Sequence, residues 1–112
     1  MVATVDDAAL VVQILRWGTE MGIEDALRAI FAPDFDPDAA TTDNPSVGKV
    51  LYFGEAVATL VKHDLLDRAL LVDLLWVEGI WRQVAPHARF AREESGEPRL
   101  YENFEALVAT PG

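Results

Sequence analysis

The chain has 112 residues with a formal charge of -10, a pI near 4.4, 51% hydrophobic and 25% charged residues, and no cysteine. This size and mixture predict one globular domain, residues 1–112, whose core needs neither disulfide nor metal, and they exclude thiolate catalysis, thiol redox sensing and cysteine-based zinc sites. So acidic a surface is repelled by nucleic acid and anionic membrane and favours a basic protein partner or a cationic ligand, the plainer reading being that the acidity merely confers solubility, while the acids Asp6 and Asp7 and the lack of an apolar run of roughly 18–20 residues predict a cytoplasmic chain with no export signal or membrane span.

Asp6 is expected to cap a first helix, in which Leu10, Val11, Ile14, Leu15, Trp17 and Met21 recur at helical spacing and Gly18 and Gly22 weaken the last turns. A second, shorter helix starts near Ile23, with Glu24 and Asp25 at the positive end of its dipole, and runs through Leu27, Ile30 and Phe31 until Pro33. Residues 33–45 hold Pro33, Pro37 and Pro45 with Asp34, Asp36, Asp38 and Asp43, which predicts an acidic loop and the clearest internal linker of the chain. Asn44 and Pro45 then open a third helix. Val47, Val50, Leu51, Gly54, Val57, Ala58 and Val61 form one face of it, and Tyr52, Phe53 and Leu60 widen that face, so this helix should be central and packed on more than one side. Gly54 and Ala58, four apart, would let a neighbouring helix come close.

Asp64 or Asp67 should cap the next element, a stretch from Ala69 to Val77 with Asp73 as its single charge, which reads as a buried helix. Gly79 is expected to kink or break the chain before Ile80 to Val84 resume helical spacing, and Pro86 to interrupt it again. Glu93 to Pro98 is a loop by composition, and a terminal helix from about Arg99 carries Leu100, Tyr101, Phe104, Leu107 and Val108 on one face. No strand pattern and no internal repeat occurs. The reading is an all-α, compact single-domain bundle of about five or six short helices.

Four constellations carry chemical potential. Asp34, Asp36, Asp38 and Asp43 have the composition of a calcium loop, but the register fails: Ala39 stands where glycine is needed and Pro45 where glutamate is needed, so the segment reads as solvated. His63 beside Asp64, with Tyr52, Glu55 or His87 brought near by the fold, would be material for acid-base work, and His63 with His87 and a carboxylate would be a zinc or iron site. Nothing in the spacing supports such a site, since ligand pairs three or four residues apart on a helix are absent. No catalytic residue, metal ligand or cofactor is therefore assigned. Trp81, Arg82, His87, Arg89 and Arg92, interleaved with Phe90, form the one basic patch, able to hold an anion or a partner. Glu93, Glu94 and Glu97 follow at once and should neutralise it locally. Trp17, Trp76, Trp81, Phe31, Phe53, Tyr101 and Phe104 are expected in the core, and any left outside would form an apolar face suited to an isologous homodimer.

Three motifs stand out in the second half: the turn Lys62-His63-Asp64-Leu65-Leu66-Asp67, the tryptophan-containing helix with Trp81 and Pro86-His87-Ala88-Arg89-Phe90, and the terminal Tyr101-Glu102-Asn103-Phe104-Glu105. With these, the chain from Val47 to Leu107 resembles a family of bacterial all-helical domains of unknown function. The resemblance implies an all-helical domain, attached in some members to a membrane helix, and no reaction. Where the family often has glycine before the Leu-Leu-Asp turn, this chain has His63-Asp64. The expected function is a non-enzymatic protein-interaction or regulatory module, working on a protein partner or on a second copy of itself. The alternatives are an acidic inhibitor or immunity-type protein that binds a basic enzyme, and a small metal- or ligand-binding enzyme built on His63 and His87.

Overall fold

The fold is seen in a computed structural model that describes residues 3–109. Six helices follow one another, α1 (Val5–Met21), α2 (Ile23–Ile30), α3 (Pro45–Lys62), α4 (Arg68–Leu74), α5 (Val77–Ser95) and α6 (Glu102–Ala109), with no strand among the described residues. α3 is the central element. It packs most extensively on α2 and α6 and also meets α1 and α5, and its Val47, Val50, Leu51, Val57 and Ala58 are buried. The start signal at its head works as expected: Asn44 Oδ1 accepts from the amides of Ser46 (3.0 Å) and Val47 (3.2 Å), with Pro45 in the first turn.

Several boundaries differ from expectation. The cap of α1 is Thr4, whose hydroxyl accepts from the Asp7 amide while the Asp7 carboxylate accepts from the Thr4 amide (2.8 Å); Asp6 lies inside the first turn. A reciprocal capping box satisfies two orphan amides, which a single Asp6 cap would not. The second oxygen of Asp7 accepts from the amide of Asp67 at 3.0 Å, and Asp67 in turn caps α4 by accepting from Leu70 (2.9 Å). One buried carboxylate thus fastens the head of α1 to the head of α4, sixty residues on. Hydrogen bonds from Thr4 and then Asp67 hold the Asp7 carboxyl below its ordinary value against the opposing effect of burial.

α4 is not a buried helix. It spans only seven residues, of which Leu71 alone is buried, and Leu74 is 45% exposed. A helix of two turns at the edge of a bundle can offer the core only one face, whatever the composition of the others. Nor does Gly79 break the chain. α5 begins at Val77, and Gly79 sits in its first turn because a side chain there would run into the indole of Trp76. Pro86 lies in the interior of α5 without ending it, so the helix continues through Glu93, Glu94 and Ser95 to a left-handed Gly96. Buried Trp81, Val84, Ala85, His87 and Ala88 hold the helix on both sides of the proline. The loop before the last helix is correspondingly short, and α6 starts at Glu102 rather than near Arg99.

The terminal motif is what joins α6 to the rest. Glu55 of α3 accepts from the Phe104 amide (2.9 Å) and from Asn103 Nδ2 (2.9 Å), capping α6 from another helix and placing a carboxylate at its positive end. Phe104 lies against Trp81, ring centroids 5.1 Å apart, and against Gly54, where any side chain would collide with the Phe104 ring. Glu105 pairs with Arg92 at 2.9 Å.

A candidate apolar cleft over helix α3

The five residues of the expected basic patch are divided by the fold. Trp81, Arg82 and Arg89 border one open surface hollow with Pro86 and Glu78; Arg82 reaches Glu78 at 3.5 Å, and both are exposed. Trp81 itself is turned inward to Phe104. Arg92 is spent on structure, donating to the Leu100 carbonyl (2.7 Å) and pairing with Glu105 of α6 rather than with Glu93, Glu94 or Glu97. His87 faces the other way, 2% exposed beneath the loop after α2, stacked on Phe35 and next to Val47 and Leu51 near the head of α3.

That position separates the two histidines. His63 closes the far end of α3, and the separation from Val47 to His63 corresponds to roughly 24 Å of helix. No metal or acid-base pair is assembled from them, and Tyr52 is exposed while Glu55 is committed to α6. Among the described residues no three His, Asp or Glu side chains are grouped as a metal would need. The aspartates of residues 33–45 are solvent-exposed, and Asp36 accepts from the Asp38 amide within the loop (3.0 Å). Asp64 takes the left-handed conformation, φ 57°, at the place where the family turn often has glycine.

The feature that sequence reasoning missed is a cleft. α1 and the α4–α5 corner stand apart over α3 and leave between them a cavity of about 240 Å³. Val50, Phe53 and Val57 form its floor; Leu15, Ile23 and Leu27 form one wall; Leu71, Leu75 and Ile80 form the other. Phe104 and Leu107 also reach it, and the polar side chains bordering it are Thr19 and Glu24. Of the residues that line it, Leu15 is 45% exposed; Leu74 and Trp76, which flank the lining residue Leu75 in the chain, are 45% and 63% exposed, and Phe31, 42% exposed, stacks on Trp76 at 5.9 Å. Two aromatics expected in the core are therefore outside it. The sequence signal was present in the surplus of apolar residues on the short α4, but the gap between α1 and α4 is a tertiary property that no local pattern encodes.

Among the described residues no helix is long and apolar enough to cross a membrane. No curated protein and no solved structure matches the chain. The terminal motif, the Trp81 helix and the turn before α4 fall within residues 16–110, which match the model of a domain of unknown function, DUF4760, and the chain belongs to that family.

Proposed function

We propose that this domain is a non-enzymatic protein-binding module, and that the cleft between α1 and the α4–α5 corner receives apolar side chains from a partner. The observation that carries this reading is an apolar cleft whose lining residue Leu15 is half exposed, together with exposed Leu74 and Trp76 on either side of the lining residue Leu75, because apolar surface left open to water on a small domain is a mark of interaction sites. A slot open along one helix and flanked by two others suits an amphipathic helix, which anchors through residues at i, i+3, i+4 and i+7. Each leucine- or phenylalanine-sized anchor buried there contributes roughly 1.5–3 kcal/mol. The charge of -10 favours a basic partner and raises the rate of capture; a basic enzyme held by an acidic inhibitor would be one such partner, and its binding would weaken with salt.

The test is site-directed photo-cross-linking in cells of the natural host. A benzophenone amino acid at Thr19, on the cleft, should give a discrete protein adduct, and the same group at Glu94, on the exposed end of α5, should not. Adducts equal at both positions, or at neither, would contradict the reading.

A further inference from the structure

The segment after α2, residues 31–44, is held at three places: at the last residue of α2 just before it, on Trp76 ahead of α5, and on α5 itself. At its root the Ile30 carbonyl accepts from Gln83 Nε2 (2.7 Å); Phe31 stacks on Trp76 (5.9 Å, 12°); Phe35 stacks on His87 (5.7 Å, 22°). The third tie differs from the others in being titratable. His87 is 2% exposed, its Nδ1 is buried with no hydrogen-bond partner, and it borders a cavity of about 70 Å³ shared with Thr41, Asn44, Val47, Leu51 and Tyr101. We propose that residues 31–44 are a pH-operated latch on the apolar cleft, seated while His87 is neutral and released when it takes up a proton. Control of the cleft rests on the binding reading above; the latch itself does not.

A neutral imidazole packs on Phe35 as an aromatic ring. An imidazolium in the same place is a buried charge whose Nδ1–H has no acceptor. The polar side chains on this cavity, Thr41, Thr42 and Asn44, make no hydrogen bond to Nδ1, and Thr41 Oγ1 and Asn44 Oδ1 already accept from the amides of Asp43, Ser46 and Val47. α3 presents Val47, Gly48 and Leu51, and the turn before α6 presents the Tyr101 phenol, which burial and Glu55 push up so that it stays protonated. The carboxylates of the strap, Asp34, Asp36, Asp38 and Asp43, are exposed to water, and burial holds His87 below the ordinary value of 6.5. The sign follows. Since the charged form is disfavoured in the seated state, seating is at full strength above 6.5 and is lost as pH falls below that value toward the depressed one.

The link to the cleft is mechanical. The strap continues α2, which supplies Ile23 and Leu27 to one wall, and Phe31 leans on Trp76, next to Leu75 and Val77 of the other. Releasing the strap loosens both walls at one end, so an apolar occupant should bind more weakly in acid.

The experiment uses the full chain and Nile red, an uncharged apolar dye, between about pH 7.5 and about pH 5, on either side of the ordinary histidine value. In the wild type the nuclear Overhauser contact between the Phe35 and His87 rings should vanish on acidification, and dye affinity should fall at least about fivefold, the lower end of ordinary coupling between sites. His87→Phe keeps the stack without the proton and should show neither change in the strap resonances nor a fall in affinity; His87→Gln serves if that variant packs poorly. A ring contact that persists at the low pH, or a His87 that titrates at or above 6.5, overturns the latch. A strap that releases while dye affinity holds overturns its control of the cleft. Absence of dye binding at both pH values overturns the cleft reading, and the Phe35–His87 contact then decides the latch by itself.

Discussion

Phe104 and Trp76 are both large aromatics near the C-terminal half of the bundle, and the fold uses them in opposite ways. Phe104 is 2% exposed between Trp81 and Gly54, with its backbone amide held by Glu55. Trp76 is 63% exposed and stacked on Phe31. Phe104→Ala should therefore cost about 3–5 kcal/mol in denaturant unfolding, through lost burial and the cavity left behind, while Trp76→Ala should stay under about 1 kcal/mol. A large loss at Trp76 would mean that it belongs to the core after all. The sequence announces both as core because apolar composition is all that it offers; which one meets a neighbour depends on where α6 lies, and that is settled by Glu55, Gly54 and Arg92 from two other helices.

At the level of helices, the boundaries that local chemistry controls were legible and those that packing controls were not. Asn44-Pro45 opened α3, and the apolar run of α3 placed it at the centre. The cap of α1 was misplaced by two residues, from Thr4 to Asp6, because a capping box is visible only when Thr4 and Asp7 are taken as a pair. Pro86 and Gly79 are breakers by their intrinsic conformations, yet α5 passes both, since its buried face is continuous from Val77 to Ala88. A proline in a helix interior leaves the carbonyl four residues earlier without its amide. Pro86→Ala should accordingly stabilise the domain by about 1–3 kcal/mol, measured as a shift in the unfolding midpoint at constant m value. Destabilisation instead would show that α5 uses a proline-dependent bend to seat its C-terminal half.

For the whole molecule, the all-α architecture followed from periodicity, and the chemistry did not follow because little of it is present in one place. The basic patch is divided by the fold, with Trp81, Arg82 and Arg89 left around one hollow and His87 and Arg92 directed elsewhere. Neighbouring residues of a helix point to different sides, so Trp81 and His87 went inward to different partners and Arg92 went to α6. The cleft arises from the spacing between α1 and α4, elements some fifty residues apart, and its lining is almost wholly apolar. Its occupancy by an apolar group is the central claim. The most direct measurement is a fluorescence titration of the wild type and of Leu15→Asp with Nile red near neutral pH, with Arg89→Ala as a control on another face. Saturable binding of one dye per chain, weakened at least about tenfold (1.4 kcal/mol) by Leu15→Asp and unchanged by Arg89→Ala, is the predicted result. No saturable binding, or equal affinity in wild type and Leu15→Asp, would contradict it.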